Sequence, residues 1–158
     1  MNTNLLIPDG DRQRLLACTH NAPHDIYGWH PHGDGSIIRT RFIGAERVEL
    51  LIHNASQPMQ PLGDDIWAAT LDDTHTPDYR YRITYPNAEP IIVADAYNFL
   101  PTLGSLDIHL INEGRHERLW DVLGANVRTY ETTLGVVTGT SFAVWAPNAT
   151  GVAVIGDF

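Results

Sequence analysis

The chain has 158 residues, room for one domain or one and a half, with 19 acidic residues against 10 basic ones and a formal charge of -9. That balance excludes nucleic acid and anionic membrane surfaces as partners. A hydrophobic content of 43% supports a folded core without any run long enough to span a membrane, and the single cysteine, Cys18, rules out an intrachain disulfide and points to a reducing compartment. The opening MNTNLLIPDGDRQ lacks a basic leader and has only Leu5, Leu6 and Ile7 as an apolar run, so a cytoplasmic protein is expected.

Residues 1–19 read as an N-terminal segment with a short helix over 11–20, Asp9 or Asp11 standing near its N-terminus. From 20 to 105, short alternating runs follow one another. Ser36 to Phe42 puts Ile38, Thr40 and Phe42 on one face, and the next run sets Val48, Leu50 and Ile52 against Glu49, Leu51 and His53. Trp67, Ala69 and Leu71 share a third face. Tyr79, Tyr81 and Ile83 share a fourth, with Arg80 and Arg82 opposite, and Ile91 to Val93 is a fifth run. Turn formers separate them: Gly33-Asp34-Gly35, Gly44, Gly63-Asp64-Asp65, Pro77-Asp78 and Pro86-Asn87. This pattern predicts an all-β fold, an immunoglobulin-like antiparallel β-sandwich.

Residues 106–126 read as a linking segment. NEGRHERLWDVLGAN predicts a helix over 112–126, with Asn112 as N-cap, Gly124 just past the end, and Leu119 and Leu123 on one face. Residues 127–158 then return to strands. Shifted by 104 positions, TSFAVWAPNATGVAVI lies against SIIRTRFIGAERVELL, so that Phe142 and Val144 match the inward-facing Ile38 and Thr40, while Val152 and Val154 match Val48 and Leu50. A second, similar sandwich is expected to begin here, its first strands only within the chain.

Candidate catalytic and metal-binding groups are sparse. Asp64-Asp65 and Asp72-Asp73 are adjacent acids, but each pair falls between strands, where water keeps a carboxylate at its ordinary acidity; no catalytic residue is assigned. His20, His24, His30 and His32 lie within thirteen residues. Their segment holds two prolines and no cysteine, and the only nearby carboxylates are Asp25 and Asp34, so a structural or surface role is expected over a metal site. His109 and His116 read as packing or surface residues, and no cofactor is implied.

Three stretches resemble a known family. WAPNA at 145–149, a valine three residues on, and GDF at 156–158 resemble the family 48 carbohydrate-binding module that precedes the catalytic barrel in α-glucan enzymes of glycoside hydrolase family 13. HDIYGWHPHGDGSIIR at 24–39 resembles the entry to the extra N-terminal sandwich of long bacterial glycogen branching enzymes. DAYNFLPTLGSLDIHLINEGRHERLWDVLGA at 95–125 is similar to the segment joining that sandwich to the next module, with Ala96 where the family commonly has proline. The resemblance implies the front of a larger enzyme that cuts an α-1,4 link and passes the chain to a 6-hydroxyl. Its two carboxylates would lie on the barrel, outside these residues. It also implies α-glucan and the enzyme's own barrel as partners, with this region supporting the barrel, tuning transferred chain length and binding glucan. A free-standing α-glucan-binding or regulatory module, and a spacer without sugar affinity, are the alternatives.

Sugar binding needs aromatic faces with polar neighbours. The candidates are Trp29, Trp67, Tyr79, Tyr81, Tyr97 and Trp145. Trp67, Tyr79 and Tyr81 fall in phase with apolar neighbours and read as core, and Trp145 reads as packing at a sandwich edge or domain joint. Trp29, placed in a loop by this reading, is the expected exposed, carbohydrate-binding residue.

Overall fold

The computed structural model describes residues 5–52, 55–99 and 101–156; His53, and Asp157 and Phe158 of the Gly-Asp-Phe ending, lie outside them. Two compact units divide the chain, Met1–Phe99 and Leu100–Phe158.

In the first unit the alternating runs pair into two sheets. Its strands are β1 (Gly28–His32), β2 (Gly35–Arg41), β3 (Arg47–Ile52), β4 (Ala55–Pro58), β5 (Gln60–Gly63), β6 (Ile66–Leu71), β7 (Tyr79–Thr84) and β8 (Ile91–Ala94). One sheet runs β1-β2-β6-β5 and the other β4-β3-β7-β8, every described pairing antiparallel. That division matches the immunoglobulin arrangement of an ABED sheet facing a CFG sheet extended by one strand.

The predicted faces meet in the interior. Ile38, Trp67 and Ala69 from one sheet pack with Val48, Leu50, Tyr79, Tyr81 and Ile83 from the other, and Phe42, Ile52 and Leu71 close the margin. Edge-on ring contacts join Phe42 to Tyr81 and Tyr79 to Tyr81 at 5.2 and 5.6 Å between centroids. Burying aliphatic and aromatic side chains of this size, about 1.5–3 kcal/mol each, is the main force holding the sheets face to face.

The first sheet is buried on its outer face as well. Ile37, Ile66 and Ala68 point away from the other sheet, and Leu5, Ile7, Leu15 and Tyr27 cover them. Helix α1 (Asp9–Leu16) thus belongs to the sandwich, fastened by Arg12, whose guanidinium donates to Asp64 Oδ2 at 2.8 Å and to the Leu62 carbonyl at 2.9 Å. It starts and stops earlier than the predicted 11–20. Pro8, with its fixed φ, precedes the first turn, and Cys18 at φ +55 leaves the helical region.

In the second unit the predicted helix over 112–126 is corrected. Helix α2 spans Ser105–Asn112, and a single 3₁₀ turn covers Leu119–Asp121. Asp107 anchors its start, accepting from the Gly104 N–H at 2.9 Å, while Gly114 at φ +67 supplies the left-handed residue past its end. Asn112 therefore closes a helix instead of opening one. His116 packs back, its Nε2 3.1 Å from Asp107 Oδ1, and this hydrogen bond is the largest influence holding the Asp107 carboxyl below its usual range.

Beyond it, β9 (Gly124–Thr132) and β10 (Gly135–Ala143) form a long antiparallel hairpin around Thr133 and Leu134. The echo of the first unit extends to β10, the counterpart of β2. Residues 151–156, counterparts of β3, carry no strand, because no neighbouring backbone pairs with them among the described residues. Phe142 and Val144, expected inside, are exposed, and no described residue of this unit is buried.

Candidate functional site

Trp29, expected in a loop and exposed, is instead a strand residue. It sits on β1 opposite Ile38, half-buried against the core with its indole Nε1 enclosed and unpartnered among the described residues. Alternation along β1 turns it inward, and the His-Pro-His composition of the strand hid that alternation. Trp67, Tyr79 and Tyr81 are core as predicted. Trp145, read as a packing residue, is 52% exposed.

The acid pairs are turn residues. Asp64 and Asp65 occupy the β5–β6 turn at φ +53 and +62; Asp64 binds Arg12, and Asp65 accepts from the Gly44 N–H at 3.1 Å. Asp73 accepts from the His75 N–H at 2.9 Å. The four N-terminal histidines do not converge on one point. His20 Nε2 stands 3.2 Å from Asp11 Oδ1, His30 Nε2 is 3.1 Å from the Tyr27 carbonyl, and His24 meets the edge of Tyr97. Among the described residues no group of three or more His, Cys, Asp and Glu is placed to hold a metal ion.

One buried carboxylate went unnoticed in the sequence. Asp95, 3% exposed, accepts from the hydroxyls of Tyr79 at 2.6 Å and Tyr81 at 2.7 Å through Oδ2, and from the Tyr97 N–H at 2.9 Å through Oδ1. Burial, then the Asp95 charge, pushes both phenols well above their ordinary pKa. The network closes the end of the sandwich and turns the chain so that Tyr97 faces outward. With both carboxylate oxygens engaged by fixed donors, it has the character of a structural lock.

That turn helps build a cleft on the outer side of the first sheet. Leu15 and Cys18 bring in the end of α1, His20 and Pro23 the loop after it, Arg41 and Ile43 the end of β2, and Tyr27 and Tyr97 the aromatic floor and wall. The two rings lie 5.3 Å apart, tilted by 52°. Gly28 makes the approach possible: it holds φ +86, and a Cβ there would stand 2.9 Å from Tyr97 Cβ.

The family pattern described as alpha-1,4-glucan branching enzyme GlgB, N-terminal domain, matches residues 9–97, the sandwich together with its helix and the Asp95 turn. The chain belongs to this GlgB N-terminal domain family. A second pattern, carbohydrate-binding module 48 (isoamylase N-terminal domain), matches residues 122–158. The 1,4-alpha-glucan branching enzyme GlgB of Corynebacterium efficiens is 62% identical over 98% of this chain. Those of Corynebacterium glutamicum and Mycolicibacterium paratuberculosis are 54% and 53% identical over 99% and 97%. In each case the match spans 21% of the relative, so the chain covers about a fifth of the length of these GlgB proteins. Among solved structures, ligand-free PulA of Klebsiella pneumoniae is 27% identical over 49% of this chain and 9% of its own, with a TM-score of 0.38. In the GlgB N-terminal sandwich as folded here, Asp34 and Asp72 line one cleft beside His32; among the described residues two acids are buried, Asp95 held by Tyr79 and Tyr81 and Glu49 held by Arg47 and Ser56.

Proposed function

We propose that this chain is the non-catalytic front of a 1,4-α-glucan branching enzyme, one that severs α-1,4-linked chains and transfers them to a 6-hydroxyl to make α-1,6 branches. The observation that carries the reading is the order of the two family matches, a GlgB N-terminal domain over 9–97 followed by carbohydrate-binding module 48 over 122–158, together with relatives about five times longer. In this reading the nucleophile and the acid–base carboxyl belong to the barrel. The region described here supports that barrel, influences the length of chain transferred and holds glucan near it; residues 106–126 link the two modules.

The exposed apolar face of the second unit favours this over a free-standing module. Phe142, Val144, Trp145, Val152 and Val154 together line a groove of about 650 Å³, an apolar face of the kind that a second layer covers in a larger protein. The 158-residue chain run through a native gel with and without glycogen tests the glucan-holding part. Retardation supports it, and unchanged mobility leaves the spacer role. The intact mass of the native protein decides between the front of an enzyme and a module on its own.

A further inference from the structure

The cleft between α1, the end of β2 and Tyr97 has a volume of about 370 Å³, within the range of about 300–1,000 Å³ common for small-molecule sites. Five of its eight lining residues, Leu15, Pro23, Tyr27, Ile43 and Tyr97, present carbon, and two of these are aromatic. The polar groups are arranged unevenly. His20 is already engaged with Asp11. Arg41 donates Nε to the Asp64 carbonyl at 3.2 Å and has no carboxylate partner among the described residues. Its charge nonetheless acts on Tyr27, whose phenol it draws back toward ordinary acidity against the larger effect of burial.

The hydroxyl of Tyr27 is the anomaly. Its residue is only 6% exposed, and the oxygen is enclosed without a hydrogen-bond partner among the described residues. Buried polar atoms left in that state are costly, and a ligand group that reaches one gains a bond without displacing a competitor. The neighbouring Asp11 and the chain's formal charge of -9 disfavour an anion as the occupant.

We propose that this cleft binds one glucosyl unit of α-glucan, the apolar face of the sugar against Tyr97 and its hydroxyls on Arg41 and Tyr27. The assignment rests on the glucan-holding role proposed above and gives it a location that the sequence did not indicate. A sugar ring is matched by the mixture on offer: an aromatic wall for its C–H face, a cation with free donors for its oxygens, and a neutral phenol that both donates and accepts.

Maltotriose titrated into the 158-residue chain, followed by amide NMR, tests it. The expected result is saturable shifts at Cys18, Arg41, Ile43 and Tyr97. Tyr27→Phe, which keeps the ring and removes the hydroxyl, raises Kd about three- to tenfold with Tm unchanged. Arg41→Ala gives a loss of similar size. Because Cys18 is exposed and is the chain's only thiol, maltotriose also slows its alkylation by a bulky maleimide. If the wild-type chain is retarded by glycogen while both variants bind equally well and shifts lie elsewhere, the cleft is not the site and the glucan-holding role stands. If the wild-type chain shows neither retardation nor shifts, both fall.

Discussion

Tyr81 and Asp95, fourteen residues apart in the chain, meet inside the sandwich, where the phenol donates to Oδ2 across 2.7 Å. Tyr79 donates to the same oxygen, so a single carboxylate ties strand β7 to the segment leaving β8. Removing it strands two buried hydroxyls. Asp95→Ala should cost about 2–5 kcal/mol by urea denaturation, and Tyr81→Phe about 1–2. A double-mutant cycle of the two should show clear coupling; additive losses would mean that the bond carries no energy of its own.

The same pair sets the alkaline limit. Both phenols have folded-state pKa values raised above the ordinary 10.0, so the folded chain holds their protons after the unfolded chain has lost them. Their contribution is fully present below pH 10 and is lost as pH rises beyond it, at about 1.4 kcal/mol per pH unit for each tyrosine. Stability measured from pH 8 to 11.5 should be flat in these groups and then fall. Tyr79→Phe should make the fall shallower, and an unchanged slope would refute the linkage.

Trp67 is the largest side chain in the core, 8% exposed and paired with Thr40 and Pro61 on either side. Trp67→Ala should cost about 3–5 kcal/mol and abolish the near-UV circular dichroism of the first unit. Survival of that signal with little loss of stability would show that the two sheets close over the cavity.

How legible all this was depended on the signal each element carries. β2, β3, β6 and β7 alternate apolar with polar residues, and their inward faces were readable residue by residue. β1, β4 and β5 were not, because His30-Pro31-His32, Ser56-Gln57-Pro58 and Gln60-Pro61 have no apolar period. Edge strands need only one ladder of bonds and tolerate such composition. The consequence reached the site: missing β1 turned Trp29 into an apparent loop residue. Two glycines competed to end a helix, and Gly114 did so while Gly124 opens β9. The Asp95 network could not be read locally, since its phenols lie fourteen and sixteen residues upstream. The outward cleft depends on α1 folding back over the first sheet, a long-range event without a local motif.

Arg12 offers a way to test that folding back. Its pairing with Asp64 is partly exposed, with side chains 20% and 49% accessible, so Arg12→Ala should cost no more than about 1 kcal/mol overall. Amide exchange should nevertheless quicken across residues 9–16 while β2 and β6 stay protected. Uniform quickening would mean that α1 and the sheet unfold as one body.

A two-stranded hairpin has little independent stability. Exchange in β9 and β10 should therefore be much faster than in β3 and β7 in dilute solution. Equal protection would show that the second unit is stabilised by contacts beyond its own pairing.

The four tryptophans fall into two optical classes. Trp29 and Trp67 lie in or against the core of the first unit, while Trp120 and Trp145 of the second are 70% and 52% exposed. The first pair should emit toward the blue and resist iodide, the second toward the red and be quenched by it. The chain thus carries two intrinsic fluorophore sets, one per unit, and melting of the sandwich can be followed apart from the hairpin with no label attached.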